Sequence, residues 1–402
     1  MSEKINIQAG AGMRKILSTT LPLNKALTEL IKNSIQNDAT WVRINLNKND
    51  AFITDNGSGF DHIKDKEGRN EFEKYFIFGN STENKTNLNL GAMGIGGKVA
   101  NDKLSDINNT HWEIHSKNKH NKYFKLTFKS SKEKLLTDIS PNIKELPVHT
   151  CPVKSPTGTQ IVIKTLNENV RKNGWEMEEI KSEIQSFFNL LITQLREQNK
   201  NFSVKLNNQE IKFSNKIGGS ALINEAHNFP FELEGKKLNA KVHFNISKGK
   251  EILSSVDIFS YTRVGRFSLN TALSEKVSEK LKLKQHWPHA DTKDVINFYN
   301  ENLCGFLSCN EIQDCKTQDG LTAKDLSHHR LNPDHPLSKA FVQKCHEVIL
   351  RKIWPIVSNE NNPEIKNNRI LKSVSDIINN NFELPSALTT EKEETHKKTI
   401  ET

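Results

Sequence analysis

The sequence predicts an α/β protein built of more than one domain, and three observations lead there. Residues 24–36, NKALTELIKNSIQ, repeat apolar side chains at three- and four-residue spacing through Leu27, Leu30, Ile31 and Ile35, which is the period of an amphipathic helix. Short alternating stretches follow at 41–46 and 51–54 and read as strands. A long helical stretch at 175–199 then precedes a second group of short alternating segments that starts at Phe202. A length of 402 residues suits two or three domains at about 100–200 residues each.

Composition narrows the function classes. No run of eighteen apolar residues exists, so no membrane span is expected. The opening, MSEKINIQAGAGMRK, lacks the apolar core of a secretory signal. Five cysteines without CxxC spacing point to a reducing, cytoplasmic setting. Cys309 and Cys315 lie close in sequence but have no histidine at ligand spacing, and His328, His329, His335 and His346 do not place three ligands on one element, so they read as surface residues. The formal net charge of +9 permits contact with nucleic acid.

In the first helix, Asn24 is placed to cap the start after Pro22. Glu29 and Asn33 stand four residues apart and therefore one above the other. A carboxylate there can orient or deprotonate a water, and an amide oxygen can ligate a hard cation such as magnesium. The strand at 51–54 runs into Asp55-Asn56-Gly57-Ser58-Gly59-Phe60. An acid at a strand end, followed by two spaced glycines, sets a carboxylate at a pocket floor with room for a flat ring, and Asn-Gly also signals a hairpin turn. Gly91, Gly94, Gly96 and Gly97 then fall within seven residues and are followed by Lys98. Backbone amides of such a loop, feeding a helix start, favour an anion such as phosphate. The loop fits neither the P-loop pattern nor the dinucleotide fingerprint: Val99 follows Lys98, and Ala92 stands at the upstream glycine position.

Taken in order, ELIKNS, DNGSGF and GAMGIGGKVA resemble the three motifs of the GHKL ATPase superfamily, the group of gyrase B subunits, MutL, ninety-kilodalton heat-shock chaperones, MORC proteins and histidine kinases. Phe78-Gly79-Asn80-Ser81 looks like the short turn before the lid in the MutL and MORC branch. The resemblance implies an N-terminal GHKL-type α/β sandwich followed by a ribosomal-S5-like α/β domain, with ATP and Mg²⁺ as cofactors. It implies that Glu29 is the general base toward the attacking water and that Asn33 holds the metal. Asp55 would bind the adenine amine, with Gly57 and Gly59 lining the base pocket. Asn80, Ser81, Gly91, Gly94, Ile95, Gly96, Gly97 and Lys98 would surround the phosphates, in a lid at about residues 79–98 that orders on nucleotide. The strand opening at Gly158-Thr159 resembles the closing strand of such domains, which makes Thr159 a pocket residue. One departure is a segment after Asn33 that is about two residues longer than the family often has, Ser34 to Ala39.

Further along, YTRVGRF at 261–267 and LCGFL at 303–307 look like strands of the second domain of MutL-like proteins. That domain contributes a lysine to the γ-phosphate in gyrase- and MutL-like enzymes; Lys324 is the match, with Arg330 as runner-up. The expected layout is an ATP-binding domain at 1–170, a connecting helix at 171–200, a second domain at 201–358 and a C-terminal segment at 359–402 whose tail after Leu384 is polar and disordered. The resemblance implies slow ATP hydrolysis that drives conformational change or homodimer formation, acting on DNA; a chaperone-like ATPase or a non-hydrolysing ATP-binding module are the alternatives.

Overall fold

The structure is a computed structural model and describes residues 2–4, 21–64, 66, 68–76, 96–106, 108–131, 142–213, 221–249, 255–315, 317–318, 323–324, 330–365 and 367. In chain order the elements are β1 (Ser2–Lys4), α1 (Leu23–Gln36), β2 (Trp41–Leu46), β3 (Ala51–Asp55), α2 (Glu71–Phe76), α3 (Gly96–Leu104), β4 (Asn109–Lys117), β5 (Tyr123–Ser131), β6 (Asn142–Leu146), β7 (Gly158–Ile163), α4 (Glu168–Asn173), α5 (Met177–Glu197), β8 (Ser203–Leu206) and β9 (Gln209–Glu210). There follow β10 (Ala221–Leu233), β11 (Lys236–Lys248), β12 (Val256–Ser260), β13 (Thr262–Arg266), α6 (Thr271–Lys280), α7 (Leu283–His286), α8 (Thr292–Asn302), β14 (Leu303–Ser308), α9 (Glu311–Asp314) and α10 (Pro336–Asn361). The chain divides into two compact units, residues 1–268 with 303–344, and residues 269–302 with 345–402.

The first unit holds two mixed sheets. The larger has the order β1-β6-β5-β4-β7-β3-β2-β8-β9 among the described residues. Its pairs are antiparallel except β2 with β8. Alternation along β2 and β4 sends Val42, Ile44, Trp112 and Ile114 to one face. There they pack with Leu27, Leu30, Ile31 and Ile35 of α1, the four positions the spacing predicts, and with Ile180, Ile184, Phe187, Phe188 and Leu191 of α5. The second sheet runs β10-β11-β14-β12-β13. Phe229 of β10 meets Phe341, in the first-unit part of α10, with ring centroids 6.3 Å apart.

The α/β class and the two sheets agree with the sequence reading, and several details differ. Residues 203–210, assigned to the second domain, extend the first sheet: β8 pairs with β2 and turns into β9. Val204, Leu206, Ile211 and Phe213 join the same apolar core as α1. The alternation of a short strand names its inner face but not the sheet that receives it. Asn24 does not cap α1; Pro22 stands at that position, and the Asn24 side chain accepts from the Lys25 N–H inside the first turn. His335 and His346 are buried rather than at the surface, and His346 Nε2 accepts from the Asn270 N–H at 2.9 Å in the second unit. The polar tail lies outside the described residues.

The second unit is helical among its described residues. Trp354 donates through Nε1 to the Trp287 carbonyl at 3.3 Å, and the His289 N–H donates to Ser358 Oγ at 3.2 Å.

Because Phe188 is fully buried where α5 meets the first sheet, Phe188→Ala is expected to destabilise the first unit by about 3–5 kcal/mol, read from the urea midpoint at unchanged slope.

Candidate functional site

Helix α1 leads into the site because its buried surface is wider than its apolar stripe. Thr28, Glu29, Lys32 and Ser34 are buried beside Leu30 and Ile31. Glu29 and Asn33 face the start of α3, where two glycines allow the helices to touch. A Cβ at Gly96 would overlap Glu29 Oε2, and one at Gly97 would lie 2.5 Å from Asn33 Nδ2 and 3.0 Å from the Tyr75 hydroxyl. Gly96 and Gly97 thus bring the N-terminal turn of α3 onto the acid and the amide of α1.

Tyr75 of α2 braces that turn. Its hydroxyl accepts from Asn101 Nδ2 at 3.0 Å, and the Lys98 ammonium lies 5.8 Å from its ring centroid. Lys98 is buried, at 1% exposure. Phe60 stacks on Phe72 at 4.8 Å and meets Tyr75 edge-on at 5.6 Å, which ties the segment after Asp55 to α2.

Asp55 ends β3 and is enclosed by three elements. Its Oδ2 accepts from the Ser34 hydroxyl at 2.8 Å, and its Oδ1 accepts from the N–H of Gly57 at 2.9 Å and of Thr159 at 3.1 Å. Burial pushes the Asp55 carboxyl above the usual carboxylate range, while the Gly57, Ser34 and Thr159 donors pull it back. The lengthened segment after Asn33 is what closes this floor. Asp38 takes a left-handed φ of 61° after the helix ends, and the Asn37 carbonyl accepts from Ser58 at 2.9 Å and abuts Gly57. Gly59, at φ 68°, packs directly on the Lys117 carbonyl, where no side chain fits.

Lys324 comes from a different part of the first unit. Ala323 beside it is fixed by two bonds to its carbonyl, from the Asn332 N–H at 2.7 Å and the Ser338 hydroxyl at 2.8 Å. Lys324 is 4% exposed. Burial holds its ammonium down at about 7; Lys32 pushes the same way, and Glu29 and Asp314 oppose them. Lys324 therefore shares one electrostatic cluster with the Glu29 end of α1. Arg330 is exposed and lines another cavity, with Ile258, Val264 and Leu331.

The geometry brings together Glu29, Asn33, Gly96, Gly97 and Lys98 at the α3 start, and Asp55, Gly57, Gly59 and Thr159 around a floor. Asn80, Ser81, Gly91, Gly94 and Ile95, with most of the 79–98 lid, lie outside the described residues. Sequence reasoning passed over Lys32, whose Nζ stands 2.5 Å from Glu29 Oε2, although its i+3 spacing marks it as a neighbour. It passed over Ser34 and Tyr75 as well; Ser34 immediately follows Asn33, whereas nothing local marks Tyr75.

The donor set suits magnesium. That ion dehydrates reluctantly and is held by one or two protein oxygens with phosphates and water. Asn33 directs Nδ2 at Gly97, which leaves its Oδ1 as an acceptor. Among the described residues no cluster of three His, Cys, Asp or Glu side chains forms an all-protein metal cage.

Residues 20–159 match the family model of histidine kinase-, DNA gyrase B- and HSP90-like ATPases. No curated protein matches the chain. Among solved structures, the topoisomerase IV ATP-binding domain of Francisella tularensis is similar at 14% identity, covering 94% of this chain and 99% of that one, with a TM-score of 0.44. The ATPase region of Saccharomyces cerevisiae topoisomerase II bound to ICRF-187 is similar at 13% identity over 83% and 86% of the two chains, with a TM-score of 0.43. The ATPase and transducer domains of Balamuthia mandrillaris topoisomerase II give 13% identity over 84% and 86%, with a TM-score of 0.42. Glu29, Asn33, Asp55, Gly96 and Thr159 all lie within the segment that matches the histidine kinase-, DNA gyrase B- and HSP90-like ATPase model.

Proposed function

We propose that the protein binds ATP with Mg²⁺ and hydrolyses it slowly to ADP and phosphate. One observation carries the reading: Glu29 and Asn33, on one face of α1, lie against the glycine start of α3. Asp55 accepts from the exocyclic amine of the purine. Gly57 and Gly59 leave space for its ring, and Thr159 holds the carboxylate in place. The N–H groups at the α3 start and the Lys98 ammonium attract the phosphates. Asn33 holds the metal, which when bound neutralises phosphate charge. Glu29 takes the proton of the attacking water, and Lys324 counters charge at the terminal phosphate as it develops.

The cycle favours a homodimer, and DNA is the partner on which it acts. The net charge of +9 supports the DNA reading. Stimulation of ATP turnover by duplex DNA, weakening as salt rises, is the expected result; the same turnover with and without DNA at low salt removes that partner.

Glu29→Ala is expected to lower kcat by about 10²–10⁴-fold while leaving the dissociation constant of a non-hydrolysable ATP analogue within a few-fold of wild type. Equal turnover by both proteins excludes Glu29 as the base. Asp55→Asn acts on affinity instead, weakening that analogue about tenfold or more in calorimetry.

The pH dependence follows from Lys324. Its folded value, lowered to about 7, leaves it charged below that pH and neutral above it. Attraction for phosphate is complete on the acid side and lost as pH rises through about 7, so kcat/KM should fall with that midpoint. Lys324→Arg, always charged, should abolish this limb of the profile.

A further inference from the structure

The face of the first sheet that turns away from α1 and α5 is open and cationic. Residues paired across neighbouring strands share a face. The register therefore fixes one row through His115: Lys144 and Lys125 on one side, Gln160, Thr54, Arg43 and Lys205 on the other. Ile114, next to His115, points into the core, so the row lies on the outer side. A second row lies four residues away along β4. There Lys129 pairs with His111, and the Lys164 N–H donates to the His111 carbonyl at 2.9 Å. Arg43, Lys129, Lys144 and Lys164 are exposed. Two acids share this face among the described strand residues. Glu113 is held by Lys125 at 2.9 Å and His115 at 3.2 Å, and Glu210 stands on the β9 edge opposite Lys205. Burial first of all keeps His115 below the ordinary histidine range, so the middle of the row is uncharged at neutral pH.

We propose that this open face is a docking surface for the sugar–phosphate backbone of duplex DNA, met without reading sequence. That the polyanion is DNA rests on the partner reading above; the charge arrangement does not. The first row crosses from β6 to β8, roughly 29 Å at about 4.8 Å per strand step. A duplex carries one negative charge per about 1.7 Å of its axis, so its phosphates are spaced more closely than the cations they meet. Between the cations, Gln160 donates to Thr54 Oγ1 at 3.0 Å; such uncharged polar groups also bond phosphate and sugar. Other polyanionic partners fit less well. A single strand needs aromatic platforms for its bases. On this face Trp41 and Phe52 are half-buried, Tyr123 is buried, and the Arg43 guanidinium covers the Trp41 ring at 4.6 Å. A lipid surface takes up apolar side chains. The exposed large hydrophobic residues among those described, Ile63 and Leu238, belong to none of these strands.

The test uses the full chain without nucleotide and a fluorescein-labelled DNA duplex of about 30 base pairs, with anisotropy read between about 50 and 200 mM salt. Arg43→Gln, Lys129→Gln, Lys144→Gln and Lys164→Gln combined should weaken binding about tenfold or more at low salt. The slope of log Kd against log salt should flatten by about three to four. A control with the same loss of charge elsewhere, Lys236→Gln, Lys237→Gln, Lys276→Gln and Lys280→Gln, should stay within about twofold of wild type. Equal weakening in both variants reports net charge alone and overturns the proposal, as does unweakened binding by the face variant. If the combined variant does not fold, the four single substitutions carry the measurement, each flattening the slope by about one. A single strand, or a phosphatidylserine vesicle, bound through these residues in preference to the duplex also overturns it. Turnover separates this surface from the partner reading. If the duplex binds through the face without raising ATP turnover, that reading falls and the surface stands. If DNA raises turnover equally in wild type and face variant, the reading stands and the surface falls. If wild type binds no duplex, both fall.

Discussion

Helix α1 buries charge as well as hydrocarbon, and that constraint governs the rest of the site. A surface helix ordinarily turns an apolar stripe inward and a polar face to water. Here Leu27, Leu30 and Ile31 meet the sheet while Glu29, Lys32 and Ser34 are also closed off from solvent. A buried carboxylate needs partners of opposite sign or hydrogen-bond donors. Lys32 meets this for Glu29. The close approach of α3 then demands residues without side chains, which Gly96 and Gly97 provide. The acid, the cation and the glycines are one solution to a single packing problem.

Asp55 meets the same requirement differently. Its donors come from helix α1, from the turn after β3 and from β7, so one carboxylate ties together elements 21 and 104 residues away along the chain. Neutral donors satisfy its lone pairs without a compensating cation, which leaves the group able to accept from a ligand amine. The two acids thus sit in different surroundings: one faces an ammonium, the other faces hydroxyl and amide dipoles.

Much of this was legible from the chain. The spacing of Glu29 and Asn33 and the placement of Asp55 at a strand end depend on local periodicity alone, and the structure keeps both. The register of Trp112 and Ile114 toward the core follows from alternation. What eluded sequence reasoning depends on pairing at long range. Strand β8 carries the pattern of any half-buried strand, and only the free edge of β2 decides which sheet takes it. The burial of His335 and His346 likewise depends on which elements come to cover them. Ser34 and Lys32 sat beside recognised residues but looked like ordinary polar positions, since a helix read alone cannot tell that its polar face will be covered.

The return of the chain to β2 has a bearing on how the protein assembles. Asn207 clamps Leu46 from both sides, accepting from its N–H at 2.7 Å and donating to its carbonyl at 3.1 Å, across 161 positions of sequence. Trp175 adds a bond from its indole to the Asn47 carbonyl. On the ribosome, β2 emerges long before its parallel neighbour, and closing a loop of that length carries an entropic cost that local contacts do not share. The strand beside the Asp55 floor therefore keeps an unpaired edge until translation has passed residue 207, and nascent chains are most exposed to mispairing during that interval.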